Sequence, residues 1–584
     1  MSDPSDTTSN GYSRLSPVHA SADAIPLLVD ETYHLFHLTT PPNTRHHPAR
    51  LRSPWTRLRS QDLRKWTRDA EPAITPSKNA SAPDADGAWT GSAIIGPDNT
   101  MHIFYTGYNL SQNGRQVIRH AQSTDRHGTS FTKNASPITI TSPATHRAAF
   151  EAIDFRDPFV FYHTPTSSYW MLVATRLASG PYWTRGCLAL LTSPDLCSWS
   201  LDPTPFFAPN DLFCPECPEL FALPNGRWYL VYSRFAAPHP GTVYRVADSA
   251  RGPFRVPRDG CGGVLDGRRW YAAKSCAKKG DPSKRVLDPS KRVFFGWTGD
   301  WCAADGKWLW GGDLALPREV YAEADGSLRM QPVPEALDAL LESSSSHSSV
   351  AALAGPLSTS SLPSSSSLSL SAIGTTCTYF LNLPHPHALL LRQQHPNLYP
   401  YLLTFSPTLS PSSILPASFG ILLRTSPSLR GHRIVFRPLF LPTTTSTTSP
   451  SEIPYAVILQ TDIAPLDDFW ADQYGLYVPR GVDGPEVVRI DGVRLGRGVR
   501  LLMQNDVLQC FVGGRALTYR LPPLPSPSVA AGEDGKEKEE EAERYGVDGV
   551  DGEDGDENGN ENEVKELGFF VQDGEVVFEG LSIR

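Results

Sequence analysis

A short apolar strand recurs through the first half of the chain, at residues 33–38, 101–106, 169–174, 228–233 and 292–297, with starts about 60 to 70 residues apart. No other feature restricts the fold as much, because one β unit repeated at this spacing suits a four-stranded propeller blade with long loops. Other elements keep the same phase. Ser60-Gln61-Asp62-Leu63-Arg64-Lys65-Trp66 and Ser193-Pro194-Asp195-Leu196-Cys197-Ser198-Trp199 share the pattern S-x-D-L-x-x-W, and Ser123-Thr124-Asp125 followed by Phe131 is a looser copy. Such a turn, ending on an aromatic, would seat an outer strand of each blade and bury Trp66 and Trp199; Trp228, which also recurs with the repeat, reads as core too. Five copies predict an all-β chain whose residues 20–335 form a five-bladed β-propeller, after a disordered stretch at 1–19. An irregular β-sandwich is the competing assignment, and the even spacing disfavours it.

The chain has 584 residues, more than one ordinary domain holds, and its 53 prolines and 45 glycines fit many short strands joined by turns. Residues 336–372 are Ser-rich and read as a linker. A second domain, 373–584, reads as a C-terminal β-sandwich, with strands expected at 379–383, 419–424, 455–460, 499–503, 508–512, 516–521, 568–571 and 576–578. An acidic, Gly-rich insertion at about 524–565 interrupts it and is too poor in apolar residues to pack. Asp281-Pro-Ser-Lys-Arg-Val286 is repeated as Asp288-Pro-Ser-Lys-Arg-Val293, a duplication best placed in an exposed loop.

Net charge is −9 with no basic stripe, which argues against a nucleic-acid partner and for a neutral one. No run of about 18 apolar residues occurs and the N-terminus is polar, so neither a membrane span nor a secretory signal is expected. The protein reads as cytoplasmic, with export by another route left open. The nine cysteines are scattered, unlike a disulfide framework, and Cys214-x-x-Cys217 lacks the second ligand pair a zinc site needs. Nothing in the sequence points to a particular protein partner.

Acids keep the phase of the repeat. Arg156-Asp157-Pro158 and Glu216-Cys217-Pro218 each stand about a dozen residues before a repeated strand, and Asp23 stands nearly as far before the first one. A ring of blades would bring all three to one mouth. Glycoside cleavage needs one group to protonate the leaving oxygen and another to attack or stabilise an oxocarbenium-like centre. Glu216, flanked by Pro215 and Pro218 and followed by Leu220 and Phe221, is expected to be partly desolvated, with the raised pKa of an acid. Asp23 is expected to stay ionised and attack the anomeric carbon. Beside the fork of Arg156, Asp157 is expected to orient sugar hydroxyls, although Arg-Asp-Pro alone is equally the composition of a surface turn. Asp30, against Glu31, is the rival to Asp23 but reads as a hairpin turn.

With Trp89-Thr90-Gly91-Ser92 opening the second repeat, the chain resembles glycoside hydrolase family 32, the invertase, inulinase and levanase group, whose members carry W/F-S-G-S, R-D-P and E-C-P in this order. Phe295-Gly296-Trp297, Trp310-Gly311-Gly312-Asp313 and Gln331-Pro332-Val333-Pro334-Glu335 extend the likeness, as do 499–503, 509–512 and 567–570 in the second domain. The resemblance implies a five-bladed propeller followed by a β-sandwich and retaining hydrolysis of β-fructofuranosides such as sucrose or fructans, with no metal or organic cofactor. It implies Asp23 as nucleophile, Asp157 as transition-state stabiliser and Glu216 as general acid/base. The first motif departs from the family's W-M-N-D-P-N-G: here it is Ser21-Ala22-Asp23-Ala24-Ile25-Pro26-Leu27, which keeps only the acid.

Candidate substrate-binding residues are Arg156, Trp89, Ser92, Cys217, Trp55, His37, Tyr271 and Trp297, with His46 and His47 ranked below the acids. One aromatic face suits the apolar face of a sugar, and core packing is the competing role for each ring. An arabinofuranosidase or a fructosyltransferase fits the same acids, since transfer differs from hydrolysis only in the acceptor. An inactive sugar-binding relative is the alternative from outside enzymology.

Overall fold

The computed structural model describes residues 12–16, 18–41, 52–234, 241–267, 269–280, 287–302, 307–345, 367–380, 401–408, 416–425, 431–439, 453–461, 486–496, 498–504, 506–521 and 565–583. His46, His47, the first copy of the duplication and all but the end of the acidic insertion lie outside them.

Strands Ser21–Val29, Thr32–Thr39, Trp55–Ser60 and Thr67–Arg68 form the first blade. The second contains Gly87–Ile95, Met101–Asn109, Arg115–Ser123 and Phe131–Lys133. The third contains Phe150–His163, Ser168–Leu177, Gly186–Ser193 and Ser198–Leu201, and the fourth Glu216–Ala222, Trp228–Arg234 and Gly241–Ala247. Tyr271–Lys279, Leu287–Cys302, Arg318–Ala322 and Leu328–Pro332 form the fifth. The repeated apolar strand is the second strand of each blade. Ser168–Leu177 and Trp228–Arg234 are buried almost end to end, because neighbouring blades cover both faces and leave no polar side to alternate with.

Each inner strand packs on the next, first to second to third to fourth to fifth, and the fifth packs on the first, so the ring closes. An added strand locks it. Lys307–Leu314 pairs with Leu287–Cys302 on one edge and with Ser21 on the other, joining the first and fifth blades in one continuous sheet. The S-x-D-L turns form as expected: Ser60 Oγ accepts from Leu63 N at 2.9 Å and Asp62 Oδ1 from Lys65 N at 2.9 Å. Ser193 and Asp195 repeat these bonds to Leu196 N at 2.9 Å and Ser198 N at 3.0 Å. Trp66 and Trp199 are buried beyond these turns.

Four expectations are corrected. Within the stretch read as disordered, Tyr12 donates to the Ala315 carbonyl at 3.1 Å and Arg14 pairs with Asp300 and Asp313, which fastens residues 12–16 to the propeller. Both ends of the expected linker are structured. Pro334–Ser345 is a helix started by Pro334 and Glu335, with Ala336, Leu337, Leu340 and Leu341 on the core, and Ser367–Phe380 is a strand. The second copy of the duplication lies within Leu287–Cys302 rather than in a loop. Pairing there jumps from Ala277 with Arg292 to Lys278 with Asp288, so Pro289, Ser290 and Lys291 are absorbed as a bulge. Finally, the segments expected at 568–571 and 576–578 are one strand, Lys565–Ile583, which pairs with Ser367–Phe380, Tyr401–Thr408 and Ser418–Thr425 and ties the sandwich together.

The sandwich docks on the propeller through its strand Arg515–Arg520. Arg515 bonds Asp259 at 2.6 Å, and Arg318 bonds Asp266 at 2.5 Å, both pairs without exposure. Asp266 also accepts from Thr518 N at 2.9 Å and Thr518 Oγ1 at 2.7 Å, which satisfies a carboxylate that burial alone would make costly. At Gly492, φ is +75° and an added Cβ would lie 2.2 Å from the Gly260 carbonyl oxygen, so the two domains meet there backbone to backbone. No helix among the described residues is long and apolar enough to cross a membrane.

Candidate active site

Every inner strand is bulged. Pairing with the second strand slips between Ala22 and Ala24, Trp89 and Gly91, Arg156 and Phe159, Glu216 and Glu219, and Tyr271 and Lys274. Four of the slipped residues are non-glycine in the left-handed region: Asp23, Asp157, Cys217 and Ala272, with φ of 32°, 56°, 51° and 48°. That conformation costs about 1–2 kcal/mol per residue and persists only where surrounding pairing enforces it. A bulge re-aims a side chain that regular alternation would send between blades. Asp23, Asp157, Glu216 and Lys274 interact although their strands belong to four different blades, which places them together at the central channel.

Within the channel, Trp297 Nε1 donates to Asp23 Oδ1 at 3.0 Å. Burial, reinforced by the charges of Asp157 and Glu216, lifts the Asp23 carboxyl from 3.8 to about 7, with Lys274 and the Trp297 bond opposing. Asp157 accepts from Cys217 N at 3.0 Å, and its own N–H donates to Thr106 Oγ1 at 2.8 Å. Burial also pushes its carboxyl up, opposed by the Arg156 guanidinium. Glu216 is clasped from two sides, by Arg156 Nη2 at 2.9 Å on Oε1 and by the Tyr271 hydroxyl at 2.5 Å on Oε2. Arg156 is held in turn by Asp154 at 2.7 Å and Gln116 at 3.3 Å. The expectation of an ordinary, readily ionised Asp23 carboxyl is not met, because burial raises it. Asp157 is the more deeply buried of the two aspartates, burial and neighbouring negative charge raise both carboxyls, and Glu216 faces a cation and a phenol.

Asp23, Asp157, Glu216, Arg156, Cys217, Tyr271 and Trp297 come together. The other candidates do not join them. Trp55 is fully buried, gives its Nε1–H to the Ala88 and Trp89 carbonyls at 3.1 Å each, and packs on Phe36 and Tyr105 as core. His37, opposite Ala24, is bonded inside the first blade through Nδ1 to the Leu38 carbonyl at 3.1 Å and through Nε2 to Arg68 at 3.0 Å. Burial and Arg68 push its imidazole down to about 3 and keep it neutral. Ser92 Oγ accepts from Val160 N at 2.9 Å and joins the second blade to the third. Trp89 is almost buried and stacks on Tyr108 at 4.1 Å. Asp30 lies in the exposed hairpin turn and pairs with Arg126 at 2.8 Å.

Lys274 is the channel residue that reading the sequence missed. It is buried and spans the mouth from the fifth blade to the second, where Nζ donates to the Gly91 carbonyl at 2.5 Å. Its signal was a charge three residues after Tyr271, at the end of the bulge where the fourth repeat carries Glu219. Cys214 and Cys217 are both buried thiols, Cys214 bonded to the Thr175 carbonyl at 3.7 Å.

A closed five-bladed propeller backed by a β-sandwich, with three carboxyl groups from three blades in its channel, has the architecture and equipment of a glycosidase. Residues 24–332 match the N-terminal domain of the glycosyl hydrolases family 32, a match that begins immediately after Asp23, and the chain belongs to that family. It is 28% identical over 352 residues to a levanase of Bacillus sp. (strain L7), covering 55% of this chain and 34% of that protein. Against a fructan 1-exohydrolase of Hordeum vulgare the identity is 28% over 320 residues, covering 50% and 49%. The chain thus spans about half the length, or less, of these curated relatives. The crystal structure of fructan 1-exohydrolase IIa from Cichorium intybus superposes with a TM-score of 0.60 at 18% identity, covering 98% of this chain and 97% of that one, a likeness of fold.

Proposed function

We propose that the protein is a retaining glycoside hydrolase that cleaves β-fructofuranosidic bonds in sucrose-like or fructan carbohydrates. The observation that carries this reading is the meeting of Asp23, Asp157 and Glu216 in one channel, with Arg156, Trp297 and Lys274 placed to control their charge.

In the first step Glu216 gives its proton to the glycosidic oxygen while Asp23 attacks the anomeric carbon; the leaving sugar departs as an alcohol and a fructosyl ester remains on Asp23. In the second, Glu216 takes a proton from water, which attacks the same carbon and releases Asp23 as carboxylate. Asp157, fixed by Cys217 N, is positioned to hold sugar hydroxyls as charge develops on the ring. Trp297 and Lys274 favour the anionic form of Asp23 that attack requires.

Support also comes from the family match and from the names of its relatives, a levanase and a fructan 1-exohydrolase. The test is release of sugar from sucrose, inulin, levan, fructo-oligosaccharides and aryl arabinofuranosides, with Glu216→Gln alongside. Release by the wild type from fructosides and its loss in the variant are expected; release from arabinofuranosides alone would reassign the substrate, and new oligosaccharides would indicate transfer. The altered first motif and the raised pKa of Asp23 favour a sugar-binding relative as second reading, for which sugar would bind calorimetrically without turnover.

A further inference from the structure

An exposed aromatic pair stands at the acid-bearing end of the third blade, apart from the groups that act on the scissile bond. Tyr182 and Trp183, 53% and 56% exposed, lie between the second and third strands of the third blade. The second strand runs antiparallel to the inner strand, and Ala174 and Leu177 pair with Arg156 and Phe150, so the connection after Leu177 emerges at the end that carries the acids. The two rings meet edge to face at 5.1 Å, and both adjoin Phe213, at 5.5 and 5.4 Å. Phe213 precedes Glu216 by only three residues.

The pair is braced from behind. The buried guanidinium of Arg176 lies 4.1 Å from the centroids of both Tyr182 and Phe213, and its Nη2 donates to the Tyr182 carbonyl at 2.9 Å. Arg176 Nη1 is tied to Glu151 at 2.9 Å and Asp154 at 3.2 Å, and Asp154 is the carboxylate that holds Arg156. Two large rings left in water forgo about 1.5–3 kcal/mol of burial for each aromatic. The Arg176 and Arg185 guanidiniums lie 4.1 and 5.6 Å from the Tyr182 centroid and hold it in a fixed corner, and the exposed ring of Trp183 beside it suits the apolar face of a neutral sugar.

We propose that Tyr182 and Trp183 form an outer sugar subsite on the leaving-group side of the channel, where a furanose unit of a fructan chain stacks beyond the unit next to the scissile bond. This rests on the fructan reading of the site. The side follows from Glu216, which serves the leaving oxygen and stands three residues after Phe213, on which both rings pack. The distance follows from chain length: three residues span at most about 10 Å, and the rings stand one aromatic contact further out.

The test compares wild type with Tyr182→Ala and Trp183→Ala on sucrose and on inulin. The ratio of kcat/KM for inulin to that for sucrose should fall about 5- to 20-fold in Trp183→Ala, chiefly through KM. Calorimetry with a long fructo-oligosaccharide should show a matching rise in Kd. An unchanged ratio with an unchanged Kd overturns the proposal, as does a wild-type dimer that Trp183→Ala dissociates, since the rings would then be a contact between copies. Weaker oligosaccharide binding in Trp183→Ala by a protein that hydrolyses nothing would retain the subsite and reject the hydrolase reading.

Discussion

Replacing Lys274 by methionine keeps most of the side chain's length and removes the positive charge that faces Asp23 and Asp157. With the lysine in place, the Asp23 carboxyl stands at about 7. At about pH 6 roughly one tenth of it is then ionised, the form that attacks. An opposite charge at close range is worth about 1–3 pKa units, so its loss should move the ascending limb of kcat/KM against pH upward by that amount. At about pH 6 this is a fall of about 10- to 1,000-fold, recovered in part as pH rises. The assay is sucrose or inulin hydrolysis from about pH 4 to 9, with Lys274→Arg as the variant that retains the charge and the limb. Methionine loses the bond to the Gly91 carbonyl, so thermal stability is followed in parallel. A uniform loss at every pH, with the limb unmoved, would refute the reasoning and make Lys274 a strut across the mouth.

Asp23→Asn should stabilise the fold in a pH-dependent way. A carboxyl raised from 3.8 to about 7 contributes stability in full below pH 3.8 and loses it as pH rises toward 7, so at about pH 8 the variant should gain up to about 4 kcal/mol while losing activity. Calorimetric melting at about pH 3.5 and 8 checks this, and equal shifts at both would contradict it. Trp297→Phe deletes the donor to Asp23 while keeping a ring against Tyr271 and Trp310. Its kcat/KM should fall about 10- to 100-fold, more at low pH than at high, as measured by steady-state kinetics. Arg318→Met strands the buried Asp266 carboxylate at the domain junction and should cost about 3–5 kcal/mol in urea unfolding, with much of it recovered by adding Asp266→Leu.

The propeller was legible because its second strands are covered on both faces: residues 228–232 and 169–174 within Trp228–Arg234 and Ser168–Leu177 read as unbroken apolar runs. The acid motifs were legible for a related reason, since equivalent points of a repeated unit must fall on the same circle. Short-range chemistry also shows locally, as in the S-x-D-L turns, whose bonds all fall within three residues. Strands Tyr401–Thr408, His432–Pro438 and Glu486–Val493 carried no such repeat and went unread.

How far burial raises the Asp23 carboxyl, and which aromatic meets the channel, was decided only in three dimensions. Burial and neighbouring charge set a carboxyl's pKa, and those neighbours come from other blades: Asp23 lies 274 residues from the indole that bonds it. Trp55 and Trp297 look alike as sequence, yet one donates to backbone inside the core and the other to Asp23. Ring closure made that distinction, because it alone determines which inner strands face one another across the channel. The chain thus specified by itself the repeated unit and the phase of its acids, while the meeting of distant strands fixed their charge.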